Sequence, residues 1–386
     1  MAPITWLDKL EQELDIDIDW MDSDFLRSYL PKIRFHDQTS NQGFVDVQLD
    51  HPSNAQLIID TAREVKAEHE DAASTNTLLK QHPLWVAIYT RMSVLMAAKN
   101  VDLISGRTLL QTLPSLAYDY EATLAHAHLY AAEFARVGVS RDRFCIKIPS
   151  TGPALNAAKT LQTEGIQTLG TALFGLAQAI ACSQARCLSI SPYYNDVRVH
   201  TDRSVWPETK DPAVEHPNSP RILQILEAYR RLYKETGQDQ PLMKNASFVN
   251  AEESMAAGEM GCQSVTLFHG IIEDLASRPY DPESPTRPGG KAAEGRPKPE
   301  HHYRDRPDVN DRLKPLLEVD HLSKASAAPD YDALSKVDYL ADNGKALDAA
   351  IKADTAAADR LDVALTLFIT AENSSRAKVE KALAAI

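Results

Sequence analysis

The chain has 386 residues, 44% apolar and 25% charged, the balance of a globular protein able to bury a large core. A formal charge of −13 with no basic block argues against nucleic-acid binding, and no apolar run nears the ~20 residues of a membrane span. The four cysteines (Cys145, Cys182, Cys187, Cys262) form no CxxC pair and no His lies at metal-ligand spacing, so a reducing, cytoplasmic setting without disulfides or zinc is expected.

The acidic N-terminus, broken every few residues by charge, is not a signal-peptide pattern. Residues 4–16 have the spacing of a short amphipathic helix. The carboxylate-rich run 15–24 that follows reads as a solvated turn. Residues 33–41 alternate like a strand, and His51-Pro52-Ser53-Asn54 opens a helix to about residue 70.

From about residue 100 a rhythm sets in. Strands are predicted within 101–113 and at 144–149, 166–171, 187–191, 242–247 and 264–268. Helices are predicted at 118–137, 153–164, 172–185, 220–236, 251–260 and on to about 277. Short strands alternating with helices imply βαβ units and a parallel sheet. Six repeats, with room for two earlier strands, make an α/β fold, a closed (β/α)8 TIM barrel with extra N- and C-terminal helices, the leading architecture. A doubly wound open sheet is the rival, but no GxGxxG follows an early strand.

Two segments break the rhythm. Residues 199–219, with three prolines, form a long connection after a strand and hence a candidate active-site loop. Residues 279–330, rich in Pro, Gly and charge, read as an extended or partly disordered crossing between the barrel (1–278) and C-terminal helices (331–386) that pack on its outside.

Within the strand at 144–149, Lys147 shares one face with Cys145 and Pro149 while Phe144, Ile146 and Ile148 share the other. Both faces are mostly apolar, so an ammonium there is costly to desolvate. Burial favours the neutral amine, the form that attacks carbonyls to make a Schiff base. The bland alternative is a strand-end Lys whose stem covers apolar surface while its head reaches solvent, and this segment alone favours it.

Several short motifs shift that balance. Cys145-Ile146-Lys147-Ile148-Pro149-Ser150-Thr151, then Gly165-Ile166, Thr171-Ala172-Leu173-Phe174, Ala177-Gln178-Ala179 and Ile190-Ser191-Pro192-Tyr193, resemble the transaldolase family in order and spacing. Asp37-Gln38-Thr39-Ser40-Asn41 upstream and Asn245-Ala246-Ser247-Phe248-Val249-Asn250 downstream extend the likeness, and residues 337–348 resemble the family's C-terminal helix. The resemblance implies a TIM barrel in which Lys147 forms a Schiff base with a carbonyl substrate, without metal or other cofactor. It implies that Asp22 is the first-strand carboxylate handling protons, with Asp24 as the alternative. It places Thr39 and Asn41 at substrate hydroxyl and carbonyl groups, Thr171 at the catalytic water and Ser191 in the pocket. Thr171 as an N-cap and Ser191 as a turn residue are the plain alternatives.

The departures from the family carry more. Its water-activating glutamate becomes Gln111, which can orient a water but cannot take its proton. Tyr193 stands where Phe is usual, a Gln and Tyr combination that resembles the fructose-6-phosphate aldolase branch. The two phosphate-clamping arginines fall at Asn195-Asp196 and at Val249 in Ser247-Phe248-Val249-Asn250, which replaces attraction by repulsion and removes a bidentate donor set. Arg198 could substitute if the loop is shifted. A pocket asparagine becomes Leu169, making the pocket more apolar. The expected function is therefore a transaldolase-like class I aldolase acting on a non-phosphorylated carbonyl compound in specialised metabolism. An ordinary transaldolase and an inactive binding barrel are the alternatives. The sequence leaves a homodimer open.

Overall fold

The computed structural model describes residues 4–281, 303–304, 308–323 and 328–386; much of the expected crossing at 279–330 lies outside them. Seven parallel strands, β1 (Asp15–Ile18), β2 (Thr108–Gln111), β3 (Phe144–Pro149), β4 (Thr168–Leu173), β5 (Ser189–Pro192), β6 (Leu242–Asn245) and β7 (Ser264–Leu267), form one sheet in the order β1-β7-β6-β5-β4-β3-β2. Residues 37–39 join its two edges. Ile18 N–H donates to Asp37 O and Thr39 N–H to Ile18 O, both at 2.8 Å, while Gln38 N–H donates to Arg107 O and Leu109 N–H to Gln38 O, at 2.9 and 2.8 Å. The segment expected as a full second strand thus pairs through little more than Gln38, which bridges both Ile18 and Thr108, and completes an eight-position (β/α)8 barrel.

The helices are α1 (Trp6–Glu13), α2 (Ser23–Tyr29), α3 (Gln42–Leu49), α4 (Ala55–Glu70), α5 (Thr77–Gln81), α6 (Leu84–Ala98), α7 (Tyr120–Arg136), α8 (Gly152–Thr163), α9 (Leu176–Gln184), α10 (Pro212–Glu215), α11 (Ser219–Thr236), α12 (Ala251–Met260), α13 (His269–Ser277), α14 (Tyr331–Ser335), α15 (Ala341–Ala353) and α16 (Thr355–Ala384). Their starts follow local chemistry: the side chains of Asn41, Asp119, Thr151 and Asn250 accept from first-turn amides of α3, α7, α8 and α12. The C-terminal helices dock closely where α15 crosses α8. A Cβ on Gly344 (φ +87°) would lie 2.2 Å from the Gly152 Cα, so only glycine fits. Among the described residues no helix is long and apolar enough to cross a membrane.

Two expectations change. The run 15–24 is no solvated turn at its start: Ile16, Asp17 and Ile18 are buried in β1. The helix expected from residue 172 starts at Leu176, because Thr171, Ala172 and Leu173 continue β4.

Candidate active site

Lys147 is 2% exposed on β3, in register with Gln111 on β2 and Leu169 on β4. Its Nζ makes no hydrogen bond or ion pair with the described residues. Burial pushes its pKa below the ordinary lysine value, opposed by the charge of Asp19. Asp19 follows β1 and is half-buried; burial pushes its carboxyl up, opposed by Lys147 and by Thr39, whose Oγ1 donates to Asp19 Oδ1 at 2.6 Å. Burial thus disfavours the charged form of both groups, the ammonium of Lys147 and the carboxylate of Asp19. On the other side, Tyr193 OH lies 3.2 Å from Thr171 Oγ1, and burial pushes the phenol up.

Lower in the barrel lies a second interior lysine, whose pKa is pushed the other way. Lys244 Nζ sits 2.9 Å from Asp17 Oδ2 and 3.0 Å from Asp37 Oδ2, which hold it charged despite burial. Donor atoms of Asp17, His36 and Asp37 lie within 4.8 Å of one another, a spacing open to a metal, but the Lys244 ammonium already bridges the two carboxylates. Across the interior, Leu109, Cys145 and Leu169 form a small apolar cluster.

Above Lys147 opens a cavity of about 450 Å3, within the range of small-molecule sites. Asp19, Asn41, Lys147, Tyr193 and Thr266 supply polar groups on the barrel side. Phe44, Phe248, Phe268, Ile271, Leu367 and Phe368 supply apolar walls, and His200, Arg203 and Ser247 one polar rim. Leu367 and Phe368 belong to α16, so this helix lies partly over the cavity and not only on the barrel's outside. The connection after β5, expected as an active-site loop, does line the cavity through Val197, His200, Thr201 and Arg203.

Of the residues singled out from sequence, Lys147, Asn41, Tyr193 and Ser247 line this cavity, and Thr39 and Thr171 bond to groups that do. Asn41 Oδ1 caps α3. Ser191 is buried on β5 with no partner for its Oγ among the described residues. Gln111 is fixed by Gln42, whose Oε1 accepts from Gln111 Nε2 at 2.8 Å, leaving Gln111 Oε1 without a partner among the described residues.

The others lie elsewhere. Asp22 caps α2, accepting from Asp24 N–H at 2.9 Å, and both flank a separate surface hollow; the carboxylate facing Lys147 is Asp19. The signal was present in Asp15, Asp17 and Asp19, whose alternation puts all three on one strand face. Leu169 packs with Leu109 and Cys145 and does not line the cavity. Asn195 is consumed by Glu253 (2.7 Å), Ser247 O (3.0 Å) and His216 (3.0 Å). Asp196 faces Arg198 Nε at 3.0 Å, and Arg198 also pairs with Asp359, so Arg198 is not a free substitute for a phosphate clamp. Val249 gives only its backbone N–H, to Glu253. Phe44, Phe268, Leu367 and Phe368 carry no local signal, because only the tertiary fold brings them together; His200 and Arg203 fall within the connection 199–219 expected as an active-site loop, without being singled out in it.

The family model described as Transaldolase/Fructose-6-phosphate aldolase matches residues 16–312. The chain is similar to a transaldolase of Synechocystis sp., 28% identical over 275 residues that cover 71% of this chain and 66% of the relative. A transaldolase of Nostoc punctiforme is 30% identical over 252 residues (64% and 70%), and one of Chromohalobacter salexigens 30% over 295 residues (75% and 85%). The chain thus aligns with about two thirds of the length of the first of these.

Proposed function

Since the chain belongs to the transaldolase/fructose-6-phosphate aldolase family, we propose that it is a class I aldolase that makes or breaks a C–C bond through a Schiff base on Lys147, with a non-phosphorylated carbonyl substrate. The observation that carries this is the desolvated Lys147 amine, without a hydrogen bond or ion pair among the described residues, lining a cavity together with Asp19. The neutral amine adds to a ketone to give a carbinolamine, which loses water to an iminium. The iminium draws electrons from the adjacent C–C bond, leaving an enamine. Asp19 takes the proton of the substrate hydroxyl in cleavage and returns it in synthesis. Tyr193, steadied by Thr171, exchanges the proton at the enamine carbon. Gln111, its amide fixed by Gln42, accepts a hydrogen bond from the water that later releases the product and cannot deprotonate it.

The family's two clamp positions support the substrate class: Arg198, beside the first, is taken by carboxylates, and Val249, at the second, carries no donor on its side chain. Such a substrate fits specialised metabolism better than sugar-phosphate exchange. Incubation with dihydroxyacetone and borohydride, followed by peptide mapping, tests the reading; labelling of Lys147 is expected, and its absence removes the mechanism and favours an inactive binding barrel.

Arg203 favours a second reading, the ordinary transaldolase. It lines the rim near Ser247 and His200, whose side chains lie 3.0 Å apart, and no hydrogen bond or ion pair with the described residues occupies its guanidinium. Robust dihydroxyacetone transfer from fructose 6-phosphate to erythrose 4-phosphate would establish it in place of the first.

A further inference from the structure

We infer that the aldehyde partner of the reaction carries an apolar body, aromatic or branched alkyl, seated against the C-terminal helix α16. The inference rests on the Schiff-base reading and goes beyond it to the identity of the acceptor. The polar lining comes from Asp19, Asn41, Lys147, Tyr193 and Thr266 and from the group His200, Thr201, Arg203 and Ser247. The rest of the lining, phenylalanines and branched side chains with two residues of α16 among them, is apolar. Leu367 and Phe268, at 38% and 42% exposure, leave apolar surface open at the mouth. A polyol chain placed there loses water from its hydroxyls and gains no partners from Phe44, Phe248 or Phe368, whereas an apolar body fills the space.

The wall is fixed in place. At the N-terminal end of α16, Asp354 pairs with Arg221 at 2.8 Å and Arg360 donates to Asn218 at 2.9 Å. At the other end Glu372 accepts from Ser115 Oγ at 2.6 Å, Ser375 donates to Asp46 at 3.0 Å and Lys378 pairs with Asp46 at 2.9 Å. Leu367 and Phe368 fall between these anchors, on one continuous helix of 30 residues. A pre-formed wall selects a ligand's shape without an ordering cost.

In the bond-forming direction the enamine carbon attacks the aldehyde carbon, the aldehyde oxygen takes the proton held by Asp19, and water then adds to the iminium to release a hydroxyketone and the free amine. The apolar body points away from these events, toward Phe368.

The full chain is supplied with dihydroxyacetone and, in separate runs, phenylacetaldehyde, D-erythrose or D-erythrose 4-phosphate. The expected kcat/KM for phenylacetaldehyde exceeds that for D-erythrose by about tenfold or more, the scale on which apolar pockets discriminate. Leu367→Gln, at a position open to solvent, and Phe368→Ala each raise the KM of phenylacetaldehyde by about tenfold and that of dihydroxyacetone by much less. Equal or better use of either erythrose compound overturns the inference, as does an unchanged aldehyde KM in both variants. Absence of borohydride labelling with dihydroxyacetone alone instead overturns the Schiff-base reading, and this inference with it.

Discussion

Lys244 donates to Asp17 across 2.9 Å inside the barrel, a carboxylate partner of the kind that Lys147 lacks among the described residues. Asp17 precedes Asp19 by two residues on one strand face, roughly 7 Å along the chain. The lower carboxylates Asp17 and Asp37 share the lower lysine and His36, whereas the charge acting on Lys147 is that of Asp19, itself resistant to ionising. The barrel thus carries one lysine held charged and one pushed toward neutrality.

Lys244→Met leaves Asp17 and Asp37 buried without their cation, a change expected to cost about 3–5 kcal/mol. Urea unfolding measures it. Loss of less than about 1 kcal/mol, the scale of an exposed pair, would show the cluster to be solvated.

Asp19→Asn lowers carbonyl turnover by about 10²–10⁴-fold, the span of general acid–base catalysis. Asp22→Ala leaves turnover unchanged and costs about 1 kcal/mol of stability, because it removes only the α2 cap. Steady-state kinetics and thermal unfolding of the two variants separate these outcomes, and the reverse pattern would restore Asp22 to the site.

A buried amine is neutral over a wider pH range. The lowered pKa of Lys147 means that the neutral fraction rises with pH through a midpoint below the ordinary ~10.4 of lysine and is flat above it. The rate of ketone-dependent trapping follows this curve. A rise only near the ordinary value would contradict the burial assigned to Lys147.

His126 is fully buried, with Nδ1 accepting from Leu113 N–H at 3.1 Å, and burial pushes its pKa down to about 3. His216, stacked on Tyr194 at 3.9 Å, is likewise pushed down to about 3. Above the ordinary pKa near 6.5 both folded and unfolded chains hold them neutral, and no stability depends on them. As pH falls below that value the unfolded chain binds protons that the folded chain does not, so stability falls by up to about 1.4 kcal/mol per unit for each group. Urea unfolding at pH 7.5 and at 5.5 measures the slope; equal stability at both would show these rings to be reachable by protons in the fold.

The βα rhythm from residue 101 was legible because the strands are apolar on both faces and Gly165 and Gly261 close their helices. Lys147 was legible for the same reason, as a charge inside an apolar strand. β1 was not, because its aspartates turn inward to meet Lys244, Ser264 and Thr39, partners far along the chain. Asp22 misled because it heads a helix within the same acidic run. The period of α16 marks a helix, but nothing local tells that one turn of it would lie over the barrel mouth. Asp196 was legible as a lost arginine, and its bond to Arg198 two residues on explains why the latter does not replace it.

Borohydride reduction of the full chain in the presence of dihydroxyacetone, with mass mapping of the modified peptide, decides whether Lys147 is the lysine that condenses with substrate. One adduct is expected, on Lys147, with none on Lys244 and none at all in Lys147→Ala. An adduct on Lys244, or an unmodified Lys147 after exhaustive reduction, would contradict that role.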